Sequence, residues 1–166
     1  MKILENKLHT NKVVKIGLDY HGVIDVNPQY FTEFCRLAHQ LGILIYIITG
    51  GTALEVKKRL KEINLQYDFI FSVLDYCIAL GYIEQDIRGN VRIKDKMWNQ
   101  SKANFCRSNN ITLHIDDSSI YKEYFTTNYC FYDNLNKKCQ LSENIEIHFN
   151  DEPQESLAKL INSITY

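Results

Sequence analysis

The chain has little of what breaks or divides a fold. Its 166 residues include two prolines and seven glycines, so no Pro/Gly/Ser-rich linker separates domains and no collagen or low-complexity tract fits. One domain spanning 1–166 is expected at this length. No run reaches the roughly 18 apolar residues of a membrane span. The longest, Ile43 to Ile48, is strand length. The opening MKILENKLHTNK lacks the apolar stretch of a secretory signal. Charge of one sign is also missing: Lys plus Arg number 19 and Asp plus Glu 20, for a net charge of -1. Such a surface has no broad basic field to hold a long nucleic acid, so a nucleic acid is not the expected partner. The five cysteines, 35, 77, 106, 130 and 139, show no CxxC pair and no zinc spacing. They are expected as reduced thiols, most of them small core residues, in a cytoplasmic protein.

What is present is an alternation of strands and helices. Hydrophobic residues make up 45% of the chain, enough to bury a core. Val13 to Leu18 is a short β-branched run and reads as a buried strand. Asn27-Pro28 opens a helix whose apolar face is Phe31, Phe34, Cys35, Ala38 and Leu41. Ile43 to Ile48 is a second buried strand, running into Thr49-Gly50-Gly51. Thr52 and Glu55 form a capping box for the next helix. Phe69 to Val73 is a third strand. Between Asp75 and Lys96 the pattern loses its period; Gly81, Gly89 and Asn90 suggest turns, and Val91 to Lys94 alternates like a half-exposed strand. A helix follows from about Ser101 to Ser108, then a strand, Leu113 to Ile115, ending at Asp116-Asp117. A helix through Ile120 to Phe125, strands at Asn128 to Tyr132 and Ile145 to Phe149, and a last helix from near Asp151 complete the chain. The pattern predicts an α/β fold: a three-layer α/β/α sandwich around a mostly parallel, Rossmann-like sheet.

In such sheets ligands bind beyond the carboxyl ends of the strands. The first strand runs into Asp19-Tyr20-His21-Gly22, the second into Thr49-Gly50-Gly51, and the strand near 113 into Asp116-Asp117. Polar groups distant in sequence thus collect at one edge. Three carboxylates near one point repel one another and invite a hard, oxygen-liganded cation, Mg²⁺. A Thr hydroxyl beside two glycines at a helix start can hold a phosphate. Together they suggest phosphoryl transfer through an aspartyl-phosphate.

At these residues the chain resembles the haloacid dehalogenase (HAD) superfamily of phosphohydrolases. KIGLDYHGVID is similar to the first family motif, IYIITGG to the second and LHIDD to the fourth, in the right order. The resemblance implies a Mg²⁺-dependent phosphomonoester hydrolase with Asp19 as nucleophile and metal ligand. It also implies a backbone carbonyl ligand from His21, Thr49 and Gly50 at the phosphoryl oxygens, and Asp116 and Asp117 at the metal. The third motif is a lysine that neutralises nucleophile and phosphate. Spacing favours Lys96, with Lys94 nearly as good and Lys102 rather close to the acidic pair.

One departure matters. The family's phosphatases carry a second Asp, the general acid and base, two residues after the nucleophile. Here that residue is His21. Imidazole can exchange protons near neutral pH, so His21 is expected to substitute as acid and base. The alternatives are a catalytically weakened HAD-like domain that binds a phosphorylated ligand or protein, or a His with no part in proton transfer. Only one helix fits between Asp25 and Ile43, and only a hairpin between Val73 and Lys94, so no full cap domain is expected. A small phosphorylated metabolite is the expected partner, with homo-oligomers left open. Asp25 is expected to bond loop backbone or help cap the helix, and His114 to be a buried, hydrogen-bonded histidine.

Overall fold

The computed structural model describes residues 13–85 and 91–164. The turn expected at Gly89 and Asn90 lies outside them. The fold is α/β, with a seven-stranded, mostly parallel sheet flanked by helices. In chain order the elements are β1 (Lys15–Leu18), α1 (Pro28–Gln40), β2 (Leu44–Thr49), α2 (Ala53–Glu62), β3 (Phe69–Ser72) and α3 (Val73–Ala79). A hairpin of β4 (Ile83–Gln85) and β5 (Val91–Ile93) leads to α4 (Asp95–Ser108), then β6 (Leu113–Asp116). A 3-10 turn (Ser119–Tyr124) precedes β7 (Asn128–Asp133), β8 (Lys138–Ser142), β9 (Ile145–His148) and α5 (Pro153–Ile164).

The sheet order is β3-β2-β1-β6-β7-β8-β9. The first five strands pair in parallel, and β8 and β9 add antiparallel. Strand side chains alternate between faces. Ile16, Leu18, Ile45, Ile47, Leu113 and Ile115 join one large core with residues of α1, α2 and α5. Tyr46, Ile48 and Phe71 pack on the opposite face against Phe105 and Cys106 of α4. The mostly apolar runs of β1 and β2 are the signature of strands covered on both sides.

Local sequence sets the helix starts. Pro28 occupies the first turn of α1, where its missing N–H costs nothing. Asn27 adds no side-chain cap there; its amide instead donates to the Phe149 carbonyl at 3.2 Å. The Thr52 hydroxyl accepts the Glu55 backbone N–H at 3.3 Å, one half of the expected capping box.

Several elements differ from the sequence pattern, and α3 is one, a helix that begins where a strand was expected to end and enters the stretch without a period. The helix expected from Ser101 begins at Asp95, because its first turns are polar and carry no apolar period. The helix expected at 120–125 is a short 3-10 turn. Strand β8, too polar to stand out, was not expected. The cysteines also need a correction: Cys130 and Cys139, expected as reduced thiols, are joined as a disulfide across β7 and β8. Both lie fully buried on neighbouring strands, with Cα atoms 5.6 Å apart, within bridging range. Cys35, Cys77 and Cys106 are free and buried, as expected. Among the described residues no helix is long and apolar enough to cross a membrane.

Candidate functional site

Three adjacent parallel strands, β2, β1 and β6, end side by side. Leu18 pairs with Ile47 of β2 and Ile115 of β6, so Asp19 emerges between Thr49 and Asp116. The Asp19 backbone N–H still bonds the Ile115 carbonyl at 2.9 Å, which fixes its main chain to the sheet. Its side chain is held as well: Oδ1 accepts the Tyr20 N–H at 2.7 Å.

The lysine of the site is Lys102. Its Nζ donates to Asp19 Oδ2 and to Asp116 Oδ2, each at 2.6 Å. Lys102 is 2% exposed, a state that lysine rarely reaches without partners. Lys94 and Lys96, which spacing favoured, are exposed at the start of α4. The physical reason is helical: α4 starts earlier than its apolar pattern shows, so Lys102 lies two turns inside it, and the long side chain reaches over the sheet edge. The fourfold spacing Trp98, Lys102, Cys106 marks this face and is the sequence signal that could have found it.

Asp116 accepts a second donor on the same oxygen, the His114 Nε2–H at 3.0 Å. His114 is fully buried, as expected, and stacks on Phe125. Its Nδ1 has no hydrogen-bond partner, so the proton sits on Nε2, facing the carboxylate. Asp116 Oδ1 takes the Ser118 N–H at 2.9 Å. Asp117 is half-buried, with the Asn134 amide 3.3 Å from its Oδ2. Gly22, at φ +74°, closes against Asp117: a Cβ there would lie 1.9 Å from Oδ2. Only glycine fits that approach and that backbone. Asp25 Oδ1 accepts the Gly22 N–H at 2.7 Å, the loop-bonding role expected for it.

Thr49 is fully buried at the end of β2, with its Oγ1 accepting the Gly51 N–H at 3.1 Å. His21 is exposed, and its ring lies over Gly51, with Nδ1 3.4 Å from Thr49 Oγ1. The imidazole thus borders the mouth of the site rather than its floor.

The electrostatics follow from burial. Removal from water pushes the Asp19 carboxyl up to about 6, against the pull of the Lys102 ammonium and with the help of the Asp116 charge. Burial opposes ionisation of Asp116 too, but Lys102 and His114 together outweigh it and hold this carboxyl well below the usual range. Burial also opposes the charge on Lys102, yet the two carboxylates hold the ammonium above the ordinary lysine value. Asp117 is raised by burial and by its neighbour Asp116.

One ammonium, paired with two carboxylates, therefore stands in a cluster of three. Asp19, Asp116 and Asp117 each offer an oxygen, and the three lie within 4.8 Å of one another. Oxygens around Mg²⁺ sit roughly 3–4 Å apart. An all-oxygen donor set with surplus negative charge fits a hard divalent cation of this kind. No protein-family model matches the chain, and no curated protein matches it.

Proposed function

We propose that this chain is a Mg²⁺-dependent phosphomonoester hydrolase that acts through an aspartyl-phosphate on Asp19. The observation that carries the reading is the strand-end constellation: a buried carboxylate bonded to a buried lysine, beside a buried threonine and two further carboxylates. The ordered similarity of three motifs to the HAD superfamily supports it.

Asp19 attacks phosphorus, the bond to the ester oxygen breaks, and the departing oxygen takes a proton. Water then attacks the acyl phosphate, loses its proton to a base, and releases phosphate and the free carboxylate. Asp19, Asp116, Asp117 and the His21 carbonyl would hold Mg²⁺, which supplies charge neutralisation at the phosphoryl oxygens. Lys102 offsets the charge shared by the nucleophile and the phosphate. Thr49 and the Gly50 backbone bond phosphoryl oxygens. His21, at the solvent side of Thr49, gives and then takes the proton.

A second reading, a weakened site that binds a phosphorylated ligand without efficient turnover, draws on one observation: the His21 ring leans on Gly51 and Thr49. The two separate on p-nitrophenyl phosphate, measured with Mg²⁺, with EDTA, and in Asp19→Asn. Metal-dependent hydrolysis that falls about 10⁴-fold or more in the folded variant is expected. Phosphate binding without hydrolysis from pH 5 to 9 would favour the weakened site, and an active Asp19→Asn would remove Asp19 as nucleophile.

A further inference from the structure

Trp98 and Lys102 are one turn apart on α4 and reach the same place. A Cβ built on Gly50 would meet Trp98 Cζ2 at 3.2 Å, so the indole lies directly over the proposed phosphate loop. The Trp98 Nε1–H donates to the Tyr121 hydroxyl at 2.9 Å. The Tyr121 ring in turn covers the Lys102 ammonium, 4.9 Å from Nζ to the ring centre. The two rings come from the helix before β6 and the 3-10 turn after it. They flank Lys102 and Gly50, whereas His21 stands against Gly51. Both are half-buried, and neither belongs to the two apolar cores.

The chemistry of this wall is specific. The indole N–H is already used within the pair, so the indole presents an apolar π face. The phenol accepts that N–H and keeps one proton to donate. An aliphatic polyol phosphate needs several polar partners for its hydroxyls, and the pair offers one. A flat ring would find two aromatic side chains beside Gly50 and Lys102, the residues proposed to meet its phosphate.

We infer that Trp98 and Tyr121 form a leaving-group subsite that takes a phosphomonoester carried on a planar aromatic group; this rests on the phosphohydrolase reading above. Trp98 is the chain's only tryptophan, so its fluorescence reports from the subsite itself.

The test uses Asp19→Asn with Mg²⁺, in which ligand binds without turning over, titrated with phenyl phosphate and with glycerol phosphate. Phenyl phosphate is expected to change Trp98 emission and to bind roughly tenfold tighter. By calorimetry, that preference should shrink to about twofold in Tyr121→Leu or Trp98→Leu and persist in Tyr121→Phe, which keeps the ring. Equal affinities with unchanged emission would overturn the subsite and leave the phosphate site standing. Equal weakening of both ligands in Tyr121→Leu would also overturn it, since Tyr121 would then act only through Lys102. If neither ligand binds, the phosphohydrolase reading fails and the subsite falls with it.

Discussion

Phe31, Phe34, Tyr132 and Phe149 are as deeply buried as Asp19, Lys102 and Asp116, yet burial acts on the two groups in opposite ways. The aromatic four pack ring against ring, with centroids 5.4 to 6.2 Å apart. There the exclusion of water is the stabilising force. At the strand ends the same exclusion works against every charge, and the pairing of Lys102 with two carboxylates offsets it, helped by the His114, Ser118 and Tyr20 donors. A surplus of carboxylate remains. The first region holds the sheet together; the second is held in place by the sheet, and its arrangement makes sense as chemistry rather than as stability.

The sharpest break in this contrast is Lys102→Met. Two buried carboxylates lose their cation, so both functions of the site should fail: hydrolysis by about 10³-fold or more and stability by about 3–5 kcal/mol. Denaturant melts and turnover on the same sample check this; near-wild-type values for both would contradict the site. His21→Ala separates chemistry from stability. The ring is exposed, so the fold should hold while the rate drops about 10²–10⁴-fold. An unchanged rate would leave His21 without a proton-transfer role. Phe31→Ala is the mirror case, expected to cost about 3–5 kcal/mol of stability with activity per folded molecule little changed.

The pH dependence of the metal-free protein should show the same opposition. The Asp19 carboxyl is raised from the ordinary range to about 6, so its contribution to stability is intact in acid and is lost as pH rises from about 4 to about 6. Asp116 is depressed and works the other way: its contribution is present above the ordinary carboxylate range and is lost as pH falls below it. Thermal melts in EDTA should therefore decline more between those pH values in wild type than in Asp19→Asn, and Mg²⁺ should reduce the difference. Identical pH profiles would contradict the raised Asp19. The smallest effect belongs to Lys96→Ala. That exposed residue should change stability by no more than about 0.5 kcal/mol and turnover by no more than about twofold. A large loss would return the third-motif role to Lys96.

Sequence carried the strands that matter most because they are covered on both faces. β1, β2 and β6 show as short, mostly apolar runs, and each runs directly into its site residue. That makes Asp19, Thr49 and Asp116 legible in the sequence. The lysine was less legible, because a helix whose first turns read Asp95-Lys96-Met97-Trp98-Asn99-Gln100 has no apolar stripe there. Its true start at Asp95 places Lys102 over the strand ends. The meeting of Trp98 with Tyr121 was hidden for a related reason. Their meeting depends on how α4 and the 3-10 turn cross β6, which no local pattern encodes. The half-polar β8, KCQLS, shows neither clean alternation nor an apolar run.

The most direct measurement is acid quenching during steady turnover with Mg²⁺, followed by peptide mass spectrometry. One phosphoryl group on Asp19, absent from Asp19→Asn, is the expected result. Steady hydrolysis with no phosphoryl group trapped on Asp19 would contradict the covalent mechanism.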